Sequence, residues 1–143
     1  MSEPELIKKI TRLKEYLDVL EKYSTTDTKV FLEDEEKVYA LERVFQLVVD
    51  EAIDINTYIS YHIGGKVSES YKSTFFELVS LGIISNDLAE KISESAGLRN
   101  KLVHDYEKMQ KVDAIQKIME FYSMYVEYTK VLIHKYMVDS SPE

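Results

Sequence analysis

Three side chains near position 100 could act together on a phosphodiester. Arg99 lies five residues before His104, and Tyr106 follows the histidine by two positions. Arginine carries a permanent charge on a planar fork of N–H donors that suits phosphate oxygens. Histidine changes protonation near neutral pH and can therefore move protons. Such a pair could cleave RNA without a metal ion: His104 would act as base or acid for the attacking 2′-hydroxyl, and Arg99 would stabilise the added charge.

A helix would fix the angles between these side chains. Asn100 and His104 are four residues apart and would share a face. Arg99 and His104 would be about 140° apart from the 3.6-residue period, still able to flank one cleft. Asn100 could orient the phosphate or the imidazole. Because one Arg–His pair supplies only part of the work, we expect a homodimer with a composite cleft.

The same residues also allow a purely structural interpretation. An arginine and a histidine at this spacing occur by chance in many helices. His104 could cap a helix end, and Arg99 could pair with Glu94 or Glu90 on the surface. Residue type and spacing leave both interpretations open.

The composition favours one all-α domain and argues against several kinds of site. The 143 residues are 45% hydrophobic but include only 4 glycines and 2 prolines, too few for the turns of a sandwich or barrel. Without cysteine there is no disulfide framework or thiolate zinc site. Glu-x-x-His pairs and glycine-rich phosphate loops are also absent, so we expect no metal and no cofactor. The formal charge of −8 argues against broad coating of nucleic acid, but it permits a small basic site or a basic partner protein.

Apolar side chains recur at spacings of three and four residues, which predicts amphipathic helices. The first helix is expected to start at residues 2–5, where a serine can act as a cap. A long second helix is predicted over about residues 28–62, with a bend near the acidic residues 33–36. Gly64–Gly65 is expected to end it.

Three further helices are predicted along the rest of the chain. The third opens at Ser68 or Ser70 and ends at Gly82. The fourth covers about residues 85–102, and the last covers about residues 112–136. The expected architecture is therefore an up-and-down helical bundle of four to five helices, one of them long.

The bundle is expected to form a single domain over residues 1–138, followed by a frayed tail over 139–143. No apolar run approaches the ~20 residues needed to span a membrane. The N-terminus is acidic and lacks the apolar core of a signal peptide. We therefore expect a cytoplasmic protein with no membrane partner.

The stretch from Val48 to Tyr106 resembles the HepT-like toxins of the HEPN superfamily. The hallmark of that family is an arginine, four to six residues, a histidine, any residue and a tyrosine. Here the gap is four residues, and an asparagine follows the arginine, as is common in the family. The similarity also includes residues 54–62, 71–78, 82–85, 88–89 and 97–106.

The chain departs from the family pattern at three places outside the hallmark. Leu98 stands where the family often has phenylalanine, and Val67–Ser68 replaces a frequent proline-containing turn. Gln110 replaces an acidic residue often found four positions after the tyrosine. These departures bear on packing and on partner contacts.

The resemblance implies an activity and residue roles. It implies a metal-independent endoribonuclease, the toxin of a type VII toxin–antitoxin system, that acts as a dimer on mRNA or tRNA. Arg99 and His104 would be its catalytic pair, with Asn100 as a supporting polar residue.

The resemblance also implies a partner and a modification. In HepT systems a minimal nucleotidyltransferase, the antitoxin, transfers AMP to the tyrosine of the motif, which would be Tyr106. Phosphates added next to Arg99 would fill the anion site of the substrate. The alternative is a non-catalytic helical module that keeps the fold and docks the nucleotidyltransferase.

Overall fold

Helices make up all the regular secondary structure in the residues that the computed structural model describes, which are 4–24, 27–104 and 111–137. The all-α bundle predicted from the sequence is therefore confirmed. The helices in chain order are α1 Pro4–Ser24, α2 Thr28–Leu32, α3 Glu35–His62, α4 Tyr71–Ser80, α5 Asn86–Ile92, α6 Ser95–His104 and α7 Lys111–Tyr136.

The long helices α1, α3 and α7 pack against one another around the core. The buried face of α1 follows the predicted three- and four-residue spacing. Each leucine or isoleucine on that face contributes roughly 1.5–3 kcal/mol by leaving water. The buried members of the α1 face are Leu6, Ile10, Leu13, Leu17 and Leu20. No helix among the described residues is long and apolar enough to cross a membrane.

The predicted second helix is divided where a bend was expected. Asp34 takes an extended conformation, with φ −113° and ψ 95°, and its side chain accepts a hydrogen bond from the Lys37 amide at 3.2 Å. An aspartate in this conformation starts a helix rather than continuing one. The sequence 28–62 therefore forms the short α2 and the long α3. Gly65, with φ +67°, follows α3 as predicted.

The prediction of a single fourth helix is wrong, because this stretch forms two helices, α5 and α6, with an interruption between them. Ser93 and Ser95 are fully buried, and the Ser95 hydroxyl donates to the Ile92 carbonyl at 2.6 Å. Serine side chains that bond to nearby backbone compete with continuous helix. The predicted starts and ends around this region are confirmed: Ser70 caps α4, Gly82 with φ +73° follows it, and Ser85 caps α5.

Buried hydroxyl groups fix the helix that carries the arginine and histidine. The Ser95 Oγ lies 2.7 Å from the Tyr125 hydroxyl, which ties the start of α6 to α7. Tyr128 of α7 donates to the side chain of Asn56 on α3, and Asn56 donates to Thr74 of α4 at 3.1 Å. Burial raises the pKa of Tyr125 and of Tyr128 above the usual tyrosine range. These contacts hold α6 against α3, on which the candidate site depends.

Two predicted features lie outside the described residues. They are the capping role of Ser2 and the frayed tail at 139–143.

Candidate active site

Arg99 lies on α6 and points to the middle of α3. Its Nε donates to Oδ1 of Asp50 at 2.8 Å, and its Nη2 donates to Oδ2 at 3.4 Å. The Arg99 side chain is 21% exposed and that of Asp50 is 40% exposed. The structure therefore contradicts a surface pairing of Arg99 with neighbouring glutamates. Glu94 instead pairs with Lys72, and Glu90 accepts from Asn86.

The carboxylate of Asp50 binds the edge of the Arg99 guanidinium that Nε and Nη2 form. A guanidinium has five N–H groups. Asp50 accepts from two of them, and the side-chain oxygen of Asn100 accepts from Nη1 at 3.3 Å. The two other N–H groups, one on each Nη, have no acceptor among the described residues, and guanidinium N–H groups bind phosphate oxygens well. Asn100 thus contacts Arg99 directly.

Asp50 is the residue of this site that the sequence prediction missed. It stands between the buried valines 48 and 49 and the buried Glu51 and Ala52. A carboxylate between buried positions of a helix lies at the edge of the apolar face, where it is partly shielded from water and favours a charged partner. That anomaly was visible in the sequence, but the sequence did not identify its partner.

His104 is the last residue of α6 and its side chain is exposed. Five residues of helix separate it from Arg99, which is about 7.5 Å along the axis and about 140° around it. Within the described ranges His104 has no hydrogen bond or ion pair to Arg99 or Asn100. The structure thus places the two catalytic candidates on one short helix but does not bring them together. Tyr106 lies outside the described residues.

A cleft of about 520 Å³ opens beside Arg99, between α1, α3 and the start of α4. Its carboxylates are partly neutralised from α1: Lys9 pairs with Asp54, and Arg12 lies 3.6 Å from Glu51. Among the described residues no group of three or more potential metal ligands has the geometry to hold a metal ion. The residues that line the cleft are Tyr16, Leu47, Asp50, Glu51, Ile53, Asp54, Thr57, Tyr71 and Arg99.

Glu51, which lines this cleft, makes the stability of the protein depend on pH. Burial raises the pKa of Glu51 above its ordinary value of 4.5, against the opposing charge of Arg12. The folded protein therefore holds this proton more tightly than the unfolded chain does. The ionised carboxylate lowers stability, and this loss is absent below the ordinary pKa and grows as the pH rises through the raised pKa.

Glu51→Gln is therefore expected to raise the free energy of unfolding at pH 7 and to change it little below about pH 4. Arg12 loses its partner in this variant, but its side chain is 55% exposed, so that loss is small. Urea unfolding at both pH values measures the effect. Glu21→Gln, at an exposed position of α1, is the matched control for the loss of one carboxylate and should change the free energy of unfolding at pH 7 by less than about 0.5 kcal/mol. A Glu51→Gln protein less stable than the wild type at pH 7 would contradict this account.

Comparison with known proteins connects this geometry to one family. Residues 13–132 match the family described as ribonuclease HepT-like. The chain is 35% identical over 114 residues to the tRNA nuclease HepT of Aphanizomenon flos-aquae, a match that covers 78% of each protein.

Solved structures share the fold at low sequence identity. The HEPN toxin of Shewanella oneidensis, solved in tri-AMPylated form in complex with its MNT antitoxin, superposes with a TM-score of 0.81 at 20% identity. That match covers 92% of this chain and 98% of the toxin. YutE of Bacillus subtilis, described as a cytosolic protein of unknown function, superposes with a TM-score of 0.77 at 16% identity, over 96% and 94% of the two chains. The family match spans most of the chain and includes the Arg–His helix, so this chain belongs to the HepT-like ribonuclease family.

Proposed function

We propose that this protein is the toxin of a cytoplasmic toxin–antitoxin pair and that it cleaves RNA, mRNA or tRNA, without a metal ion. The observation that carries the proposal is the set of hydrogen bonds that Arg99 makes. Asp50 holds its guanidinium, and an N–H on each Nη has no acceptor within the described part of the chain and could donate to a phosphate. This arrangement occurs on the helix that ends in an exposed histidine, in a chain of the HepT-like ribonuclease family.

The proposed reaction needs only groups that the protein and the RNA supply. The 2′-oxygen attacks the adjacent phosphorus, a P–O bond forms, and the bond from phosphorus to the 5′-oxygen breaks. His104 takes the proton of the 2′-hydroxyl or gives a proton to the departing 5′-oxygen. Arg99 stabilises the charge that accumulates on the phosphate oxygens in the transition state. The products are a 2′,3′-cyclic phosphate and a free 5′-hydroxyl.

We further propose that the working unit is a homodimer. Within one chain Arg99 and His104 lie about 140° apart around α6 and about 7.5 Å apart along it, and no hydrogen bond or ion pair joins them in the described residues, so one pair supplies only part of the chemistry. A second copy related by a two-fold axis would bring the His104 of one chain to the Arg99 of the other. The cleft would then be composite, with the reacting phosphate between two copies of α6.

Replacing the histidine provides the primary test of the proposed function. The purified wild-type protein should cleave RNA in EDTA, and His104→Ala should lower the rate by roughly 10²–10⁴-fold, the usual contribution of a general acid or base. His134→Ala is the matched control, because His134 is also exposed in the last turn of a helix. If the wild type leaves RNA intact, the nuclease proposal fails and the non-catalytic docking module is the better interpretation. If it cleaves only with added metal, the metal-free mechanism fails.

We also propose that a minimal nucleotidyltransferase silences the toxin by transferring AMP to Tyr106. The Shewanella relative is AMPylated and was solved with an MNT antitoxin, which supports a modification of the same kind here. In the transfer, the tyrosine oxygen attacks the α-phosphorus of ATP and pyrophosphate leaves. An AMP attached near Arg99 would bring phosphate to the anion site and exclude RNA.

Intact mass measured after incubation with the partner and ATP should rise by whole AMP units, and RNA cleavage should fall in parallel. Tyr106→Phe should keep both its mass and its activity under the same conditions. Tyr61→Phe, at an exposed tyrosine of α3, is the control and should be modified like the wild type. An AMP increment that persists in Tyr106→Phe would rule out Tyr106 as the acceptor.

A further inference from the structure

A second cleft lies on the side of α6 away from Asp50, between α5, α6 and α7. It has a volume of about 510 Å³. Three lysines, one from each of these helices, stand around an apolar floor. The residues that line it are Lys91, Glu94, Gly97, Leu98, Lys101, Lys117, Glu120, Phe121 and Met124. We refer to it as the lysine cleft.

Two of the three α6 residues that line the lysine cleft share a face of the helix with His104. Gly97, Lys101 and His104 are spaced by four and three residues. In a helix, this spacing places the three positions within about 60° of one another. Lys101 and His104 are separated by about 4.5 Å along the axis. A strand of RNA whose reacting phosphate is at His104 would therefore reach the lysine cleft within one nucleotide of the cut.

The charge of the lysine cleft contrasts with that of the rest of the protein. The chain carries a formal charge of −8, and the cleft beside Arg99 is lined by three carboxylates. In the lysine cleft one of the two glutamates, Glu94, is already paired with Lys72. Lys91 pairs with Asp87 at 3.4 Å, but Lys101 and Lys117 have no ion-pair partner in the part of the chain that the structure describes. Among the described residues, then, no carboxylate neutralises either of these two ammonium groups.

We infer that the lysine cleft binds the phosphate backbone of the substrate RNA next to the scissile bond. This inference rests on the proposed ribonuclease function. Lys101 and Lys117 supply the charge that phosphates require, and counterions released from the RNA drive the association. The floor formed by Leu98, Phe121 and Met124 can contact a base or a ribose, as the apolar surfaces of single-strand binding proteins do. The lysine cleft would thus give a protein of strongly negative net charge a local positive surface for RNA.

Binding measured without cleavage tests the inference. In the His104→Ala background, the affinity for a fluorescent single-stranded RNA is followed by anisotropy over a range of salt concentrations. Lys101→Gln with Lys117→Gln should lower the slope of log affinity against log salt by about 1.4, which is two phosphate contacts at about 0.7 each. At about 0.1 M salt the affinity should fall on the order of tenfold. In the otherwise wild-type protein the same pair should raise KM more than it lowers kcat.

The matched control removes the same charge elsewhere. Lys22→Gln with Lys130→Gln changes two exposed lysines on α1 and α7, outside both clefts, and should leave the salt slope unchanged. An unchanged slope in the Lys101 and Lys117 variant would overturn the inference. So would a loss of affinity for the nucleotidyltransferase without loss of RNA affinity, which would make the cleft a protein-docking surface. A third outcome is possible: the wild type binds RNA through these lysines but does not cleave it. That result would refute the proposed nuclease function and leave the inference about RNA binding in place.

Discussion

Arg99→Lys is expected to lower RNA cleavage by about 10²–10³-fold, the usual result of removing one group that stabilises transition-state charge. Lysine keeps the positive charge but has a single ammonium group in place of a planar fork. Arg99 uses Nε and Nη2 to hold Asp50 and still has an N–H on each Nη for the phosphate. An ammonium that pairs with Asp50 cannot present a second, fixed edge to the substrate. The loss should therefore appear in kcat as well as in KM.

The control for this variant is Arg43→Lys. Arg43 lies on the exposed side of α3, and its Nη1 donates to the side-chain oxygen of Gln46 at 3.4 Å. Cleavage should be unaffected there, because no rigid double contact is lost. The fold should survive in both variants, since a lysine at position 99 can still pair with Asp50, whose side chain is 40% exposed. Thermal unfolding checks this. If Arg99→Lys cleaves as fast as the wild type, a positive charge at position 99 is sufficient. The interpretation that Arg99 must bind Asp50 and the phosphate at the same time is then wrong.

The helices were predictable because their causes are local. The three- and four-residue spacing on α1 is present in the sequence, and so are the serine caps of α4 and α5. The break between α5 and α6 was not predicted, although Ser93 and Ser95 have the chemistry for it. Whether a serine bonds to its own backbone or points to solvent depends on what surrounds it, here Tyr125 thirty residues away. Local pattern does not contain that information.

The site was predictable in its residue types but not in its contacts. Arg99, Asn100 and His104 follow from the motif, and the structure places them on one short helix. The contact with Asp50 joins positions 49 residues apart. α3 offers several carboxylates near its middle, and helical spacing does not show which of them α6 meets. The packing of α6 on α3 selects Asp50, and that packing depends on the break that the sequence did not predict.

The angle between the two catalytic candidates leads to a sharper prediction about the dimer. If Arg99 of one chain works with His104 of the other, two inactive chains can restore each other. A heterodimer of Arg99→Lys with His104→Ala contains one intact Arg–His pair across the two chains. Its activity should rise well above that of either parent homodimer, to as much as about half of the wild-type rate, because one of two equivalent sites is complete. Co-expression of differently tagged chains and purification through both tags isolates this species.

The matched species places both substitutions in one chain and pairs it with a wild-type chain. It carries the same two changes per dimer, but each intact residue now faces a substituted partner across the two-fold axis. A site shared between chains should therefore leave this heterodimer much less active than the first. A site contained within one chain requires the reverse order, because the wild-type chain would keep a complete site of its own. That reverse order would refute the composite cleft but not the ribonuclease proposal. The order of the two rates depends only on how Arg99 and His104 are shared between the copies of α6.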